Sequence, residues 1–498
     1  MHTGYTKMHT VSPPHDRAVA DNVTGARPSE PEVEVTGLEV CRPSLFLRAD
    51  VAGLTEATTV LTDGRPVGRW LLCLQWAGGT RQVLPLPEWV DRPSGGRLWL
   101  APFPAAPHVG VVPSWSPQGR ERWLQGESPR FDELFHNLCD QIGRFIVFPE
   151  EDAAGALATV ALWTMLTYCY PAWAAVPYLH VAGTLASGKS RLLDVLSRLV
   201  RRPIMASSMT AGVLFRTLHE HGGTLLLDEA ERLGDQSASS ELRTVLLAGY
   251  RAGGRVARLR AHAGEFRPVH FDVFGPKALG GIGELPPALA SRCIRVSMLR
   301  TAGSNAQVRA SLDADVARWQ QLRDDIHALI LARATEILSA AQTADDLTDG
   351  LSGRDAELWR PLLVLARLCD SGGSTALPEC LRAYADAVVA DSQDDTAPEP
   401  ERILVGMLAA SVANQQSDVT PKELLGQAQK AEPAAFRGWT PHRVASALRR
   451  YGLHTAKTSG GRRSYRQLTG EHIRRVTRLY GFSITVENAS FAPHATAG

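Results

Sequence analysis

The segment Gly183-Thr184-Leu185-Ala186-Ser187-Gly188-Lys189-Ser190 constrains this chain more than any other. It reads G-x-x-x-x-G-K-S, the pattern of a loop whose backbone N–H groups wrap a polyphosphate. The apolar run Leu179 to Ala182 before it suits a buried strand, and Arg191 to Leu196 after it continues as a helix. Gly183 and Gly188 stand where side chains would obstruct the approach of backbone to phosphate. Thr184 and Ser187 complete the loop. Lys189 would reach the β and γ phosphates, and the Ser190 hydroxyl would ligate Mg²⁺. Further on, Thr224-Leu225-Leu226-Leu227-Asp228-Glu229 is an apolar run ending in two adjacent carboxylates. Asp228, at the end of a buried strand, would hold the same ion through its water shell, and Glu229 would polarise an attacking water as general base. These residues predict an ATPase with ATP and Mg²⁺ as cofactors. A surface Gly-Lys-Ser turn beside an unrelated strand would need the strand, the helix and the Asp-Glu pair to coincide.

The chain has 498 residues, room for about three domains. Its 44% hydrophobic and 21% charged residues are those of a globular protein, and a net charge of +1 gives no global field toward nucleic acid. Seven scattered cysteines (Cys41, Cys73, Cys139, Cys169, Cys293, Cys369, Cys380) include no C-x-x-C pair. That spacing predicts a reducing cytoplasm and no structural zinc. Residues 1–30 are polar and irregular without an apolar signal core, which predicts a disordered leader. The uncharged stretch from Ala153 to Leu179 is long enough to span a bilayer. Pro171 and Pro177 interrupt it, and it runs straight into the phosphate loop, so a buried helix ending before Pro171 is expected and no membrane partner.

Residues 31–118 read as a β-rich module of unknown role. Val33-Glu34-Val35 and Leu45-Phe46-Leu47 are short strand candidates, and Trp70 to Trp76 and Arg81 to Leu86 form a plausible hairpin around Gly78-Gly79. Residues 119–302 would hold two helices and then the ATPase core. Residues 303–390, with apolar positions such as Val316, Trp319, Leu322, Ile326, Leu329 and Ile330, predict a helical lid. The acidic, Pro-containing run 391–400 reads as a linker, followed by a basic module over 401–484 and a tail over 485–498.

Several blocks resemble a family of helicase-like ATPases of phage, plasmid and integrated elements, often fused to or encoded beside primases. They are Val176-Pro177-Tyr178-Leu179 leading into the phosphate loop, and Ser208 to Arg216 running on to Leu225-Leu226-Leu227-Asp228-Glu229-Ala230-Glu231. Leu246-Leu247-Ala248-Gly249-Tyr250-Arg251 follows, then Phe274 to Leu279, Leu285-Pro286 and Leu289-Ala290-Ser291-Arg292-Cys293-Ile294. The resemblance implies an α/β P-loop NTPase core of AAA+/RecA-like, superfamily 3-like fold, working as a homo-oligomeric, hexameric ring. It makes a primase a candidate partner, although residues 1–120 carry no primase catalytic motif. Arg292 matches the position of an arginine that acts across subunits on the neighbour's γ-phosphate; a salt bridge at a strand end is the alternative. Lys277, after a strand expected over Val269 to Phe274, takes the place of a γ-phosphate sensor where such folds often have Asn. Arg354, opening a helix in the lid, resembles a second sensor, or is a solvated charge.

Two features point to DNA, single-stranded or forked. Arg255, Arg258 and Arg260, with Val256 and Leu259 between them and Gly264 as a turn, fit a β-hairpin inserted before the sensor strand. In ring helicases such a hairpin grips phosphates in the central pore; a solvated hairpin or subunit contact is the plainer reading. In the C-terminal module, Thr420-Pro421-Lys422-Glu423 and Thr440-Pro441 start helices, and Thr455 to Tyr465 turns at Gly460-Gly461, which together suggest a winged helix. Between Arg437 and Tyr480 eleven Lys/Arg face one acid, Glu471. Arg443, Arg449 and Arg450 would serve the recognition helix, and Arg462, Arg463 and Tyr465 the wing. Such modules also bind proteins. The sequence therefore predicts a cytoplasmic DNA-acting motor, a helicase or replication-initiation ATPase of a mobile element. A regulatory switch ATPase of defence or signalling that does not translocate is the rival.

Overall fold

The computed structural model describes residues 40–480, apart from the segments 104–105, 207–209, 231–232, 234–239, 263–264, 283–284, 301–309, 345, 352, 371–374, 396–398, 415–418, 458–460 and 466–467. The expected leader, the Val33-Glu34-Val35 strand and the tail lie outside the described residues.

Among the described residues, seven strands come first: β1 (Val40–Cys41), β2 (Leu45–Leu47), β3 (Val51–Thr62), β4 (Arg65–Trp76), β5 (Arg81–Pro85), β6 (Trp89–Asp91) and β7 (Arg97–Leu100). They form a sheet of order β2-β3-β4-β5 and a smaller one of order β1-β7-β6. The long β3–β4 hairpin turns at Asp63-Gly64, both at positive φ (50° and 73°), the conformation that an Asp-Gly turn supplies. Its root is buried and its tip is solvated, with Leu61 76% exposed. Arginines hold this module to the rest: Arg201 donates to the Ser44 carbonyl, Arg202 to the carbonyl of Thr55 and to its hydroxyl at 3.2 Å, and Arg42 pairs with Asp272 at 3.1 Å.

Helices α1 (Pro117–Leu124), α2 (Phe131–Gly143) and α3 (Ala153–Cys169) follow. α3 is apolar on every side, and a helix with no polar face must be covered all round. The chain does this with protein: 83% of an 18-residue window within Ala153–Ala172 is buried, and the helix ends at Cys169, before Pro171. Several of its polar groups find partners on neighbouring segments, as where Trp163 Nε1 donates to Pro177 O (2.8 Å) and Tyr168 OH to Leu199 O (2.6 Å), while the buried Thr159 hydroxyl has none.

The core sheet is built from β8 (Tyr178–Gly183), β9 (Pro203–Ala206), β10 (Thr224–Leu227), β13 (Lys277–Gly281) and β14 (Cys293–Met298), in the order β14-β8-β13-β10-β9. Every neighbouring pair is parallel, so all five strands end on one edge. Helices α4 (Lys189–Leu199), α5 (Ala211–His221), α6 (Ser240–Ala248) and α7 (Pro287–Ala290) connect them. Between β10 and β13 the chain leaves the sheet as an antiparallel hairpin, β11 (Arg255–His262) and β12 (Glu265–Asp272). The strand expected over Val269 to Phe274 is therefore the hairpin's return arm, and the sheet strand beside β10 begins only at Lys277.

Four helices come next: α8 (Val316–Ala332), α9 (Ala334–Thr343), α10 (Gly353–Cys369) and α11 (Ala376–Asp395). α11 continues through Asp395, so the first half of the acidic run expected as a linker is helical. The C-terminal module has its own core around Leu404, Leu424, Phe436 and Leu448. It comprises α12 (Glu399–Ala413), α13 (Pro421–Ala431), α14 (Pro441–Arg449), the hairpin β15 (Ala456–Lys457) and β16 (Arg463–Ser464), and α15 (Gly470–Tyr480). Thr420 and Glu423 close a reciprocal capping box at the start of α13.

Candidate functional site

Ligands of open parallel sheets gather at the edge where the strands end. There β8 gives way to the loop after Gly183, and α4 starts at Lys189. Gly188 caps the helix at φ 96°, a conformation in which glycine carries no steric penalty. At Gly183 a Cβ would collide with the Met298 carbonyl and lie 2.5 Å from Ser187 Oγ. Lys189 Nζ donates to Gly183 O (2.9 Å) and Thr184 O (2.7 Å), so the ammonium lies within the loop's own curve. Ser187 Oγ is buried without a hydrogen-bond partner. A buried polar atom left unpaired is unfavourable unless a ligand completes it, and this one fits a phosphate. Thr184 and Ser190 are exposed on either side.

The second carboxylate-bearing strand ends on the same edge. Asp228 follows β10, and its Oδ1 accepts from Glu229 N at 3.0 Å. Two non-glycine residues of this edge, Ala186 (φ 61°) and Glu229 (φ 60°), hold left-handed backbone. Each such residue costs roughly 1–2 kcal/mol, strain that concentrates where function demands it. A Cβ at Gly280 would lie 3.3 Å from Asp228 Oδ1, so β13 keeps its side-chain bulk away from that carboxylate. Asp194, which the sequence reading missed, lies one helical turn after Ser190. Its pKa is raised by partial burial first and also by Asp228, against Arg198 and Arg191. Its i,i+4 spacing from Ser190 was the available signal. Among the described residues no group of three or more His, Cys, Asp or Glu side chains could cage a metal.

Lys277 is not part of this group. It starts β13, in register with Leu225 rather than with Asp228, so it sits at the opposite edge of the sheet. It is wholly buried, donating to the carbonyls of Val273 (3.0 Å), Gly275 (2.9 Å) and Gly249 (3.4 Å), with Nζ 4.7 Å from the Tyr178 ring centroid. Burial pulls its ammonium down to about 7, with Asp272 opposing. The γ-phosphate role is therefore withdrawn.

Arg292 and Arg354 share that opposite edge. Arg292 precedes β14, and its carbonyl accepts from Tyr178 N at the start of β8 (3.0 Å). Five residue steps of about 3.3 Å separate that point from Gly183, roughly 17 Å. Both guanidinium groups lie over the Tyr250 ring, at 5.8 and 5.9 Å, and Arg354 Nη1 donates to Ser291 Oγ at 2.8 Å. Arg292 also donates to Ala288 O. Glu357 accepts from Tyr250 OH (3.1 Å) and pairs with Arg251 (2.7 Å). Arg354 therefore sits beside Arg292, away from the Gly183–Ser190 loop of its own chain. Tyr250 and Glu357 were not legible as site residues, because nothing in their local spacing distinguishes them.

Strand alternation divides the hairpin arginines. Arg258 and Arg260 share one face with Arg267, which the sequence reading overlooked; Arg255 lies on the other, opposite Asp272. Arg258 is held over Phe215 (5.0 Å) and near Glu241 (3.7 Å). Leu259 and Phe266 are 70% and 72% exposed on the Arg255 face, so Leu259 is no packing partner of Arg258 and Arg260. In the C-terminal module, Arg443 stacks on Trp439 (4.4 Å), and Arg449, Arg462 and Arg463 are exposed. Arg450 is tied to buried Glu401, which also accepts from Tyr451 OH (2.5 Å). Tyr465 is 3% exposed, and its amide donates to Val419 O at 2.9 Å. It belongs to the module's core and not to a contact surface. The turn at Gly460 and that at Gly264 lie outside the described residues.

A family model described as a protein of unknown function (DUF3631) matches residues 299–471, the segment from the end of β14 into α15. No curated protein matches the chain. Among solved structures it is similar to the C-terminal region of NrS-1, at 13% identity and a TM-score of 0.34, over 76% of this chain and 82% of that one. It is also similar to an active helicase, SCCmec type IV Cch, at 11% identity and a TM-score of 0.37, over 89% and 100%. A third is the JCV helicase, at 14% identity and a TM-score of 0.21, over 54% and 76%. These TM-scores are low, and the functional reading rests on the chain's own residues.

The buried Lys277 has a measurable consequence. Its folded pKa is near 7 against 10.5 for the free side chain, so between those values the unfolded chain binds more protons. Stability then rises with pH by up to about 1.4 kcal/mol per unit, and the penalty is complete below pH 7. Urea unfolding should show Lys277→Met more stable than wild type at pH 6, with the gap narrowing toward pH 9. A gap independent of pH would mean that Lys277 does not titrate in this range.

Proposed function

We propose that this chain is an ATP- and Mg²⁺-dependent motor acting on DNA as a ring, a cytoplasmic helicase or replication-initiation ATPase of a mobile element. The observation that carries the reading is the placement of two half-sites on opposite edges of one parallel sheet. One edge has Lys189, Ser190, Asp228 and Glu229; the other has Arg292 and Arg354 on Tyr250. No chain can close such a site on itself. Head-to-tail association brings one copy's arginines to the next copy's phosphate loop, and a heterologous contact of that kind forms a ring when its rotation closes.

In the assembled site, the Gly183–Ser187 loop and the Ser187 hydroxyl hold phosphate oxygens, and Lys189 neutralises them. Ser190 and Asp228 hold Mg²⁺, with Asp194 behind them. Bound Mg²⁺-ATP supplies the phosphoryl group and the positive charge that screens it. Glu229 orients the water and accepts its proton. Arg292, with Arg354 beside it, answers the charge that develops at the neighbour's phosphate, a contribution worth orders of magnitude in rate when donors are preorganised. Arg260 and Arg267 at the hairpin end, and Arg443, Arg449, Arg462 and Arg463 in a winged-helix arrangement, supply phosphate contacts to DNA.

Mixing tests the shared site. Lys189→Ala and Arg292→Ala should each abolish hydrolysis alone. An equal mixture should recover about a quarter of the wild-type rate, because that fraction of heterologous interfaces joins an intact loop to an intact arginine. No recovery would assign Arg292 a role within its own chain. For DNA, titrations over a range of salt should show that Arg462→Ala with Arg463→Ala lowers the slope of log affinity against log salt by about 1.4 on single strands. Tyr465→Phe should leave the slope unchanged.

A further inference from the structure

The proposed chemistry leaves one costly group unexplained, the wholly buried ammonium of Lys277. Its three carbonyl partners are not scattered. Gly249 lies just before the β11–β12 hairpin, and Val273 and Gly275 lie just after it. The two roots are otherwise joined by backbone bonds from Val273 N to Gly254 O (3.1 Å) and from Gly275 N to Gly249 O (3.2 Å). The fit is close: a Cβ at Gly249 would collide with Val273 O and lie 2.5 Å from Lys277 Nζ. On its other side the ammonium rests on the Tyr178 ring, whose hydroxyl donates to Leu246 O at 2.8 Å. Tyr178 meets Tyr250 edge-on at 6.1 Å, and Tyr250 carries Arg292 and Arg354.

We propose that Lys277 is a positioning residue that fastens both roots of the hairpin to the Tyr178–Tyr250 stack, so that the hairpin and the arginine pair shift together. The inference rests on the motor reading above, and gives it a route by which DNA held at the hairpin alters the geometry of Arg292 at the neighbour's phosphate. A neutral side chain of similar length would fill the cavity but could not draw the three carbonyls together. Tyr250 is fixed independently, because Glu357 accepts from its hydroxyl and Val176 N donates to its carbonyl at 3.0 Å. Removing the ammonium therefore frees the hairpin while the arginine platform stays assembled.

The test measures ATP hydrolysis by the full chain with and without oligo(dT), and oligo(dT) affinity by anisotropy, for wild type and Lys277→Met. The variant should keep basal hydrolysis and DNA affinity within about twofold while its stimulation by DNA falls about fivefold or more, the scale of a modest coupling. Gly249→Ala, which retains the lysine but displaces its partners, should do the same and carries the test if Lys277→Met does not fold. An unchanged ratio of stimulated to basal rate in the folded variant overturns the proposal. If wild-type hydrolysis is itself indifferent to DNA, the motor reading fails and this inference falls with it, an outcome read from wild type alone.

Discussion

The parallel register of β8 against β13 and β14 is the constraint on which the rest depends. Parallel strands all end on one edge, so whatever follows β8 and β10 converges there and whatever precedes β8, β13 and β14 is carried to the other. The phosphate loop and the Asp228-Glu229 pair occupy the first edge. Lys277, Arg292 and the residues around Tyr250 occupy the second. A slip of one residue between β8 and β14 would send every side chain of the strand to the other face and separate Gly183 from Met298, whose carbonyl leaves no room for a Cβ there. The sheet thus fixes both the loop's shape and the distance across which any cooperation between edges must work.

The two edges are stabilised in opposite ways. Near the loop the chain tolerates backbone strain at Ala186 and Glu229 and an unpaired hydroxyl at Ser187. These are unfavourable terms that a polyphosphate would relieve. At the far edge the unfavourable term is a buried cation, offset by three carbonyls and an aromatic face. Burying an ammonium costs more than packing an apolar side chain of the same volume. The fold therefore invests stability at both edges rather than in the middle of the sheet, where Leu179, Leu226 and Leu279 are simply apolar and buried.

What could be read from sequence follows from how local each signal is. The phosphate loop, the apolar helix α3, the capping box at Thr420 and the hairpin around Arg258 are written in contiguous residues, and each has the local form the pattern predicts. Lys277 and Tyr465 were misplaced for a common reason. Their roles depend on which edge, which neighbour and which depth the tertiary fold assigns them, and no spacing rule carries that information. Lys277 was judged by its order after a strand, but that strand belonged to the hairpin, and the β13 residue beside Asp228 is Gly280. Tyr465 resembles a wing contact because arginines surround it in sequence, while the chain turns inward after β16, bonds its amide to Val419 O and buries it in the core that also holds Leu448. Arg255 illustrates the same parity: a cluster of three arginines in sequence becomes one and two on opposite faces.

Charge shows why a nearly neutral chain can still favour a polyanion. Several arginines that inflate the basic count are already spent on internal partners: Arg201 and Arg202 on carbonyls of the N-terminal module, Arg450 on Glu401, Arg251 on Glu357. The carboxylates paired with Arg450 and Arg251 offset their charge. Exposed arginines occur on every part of the described chain, and some of them lie close together at the hairpin's end and along α14 and the β15–β16 hairpin. Fields of exposed charges fall off within a Debye length of about 8 Å at physiological salt, so local grouping outweighs the net sum. The charge of +1 therefore says little about where a polyanion could be held.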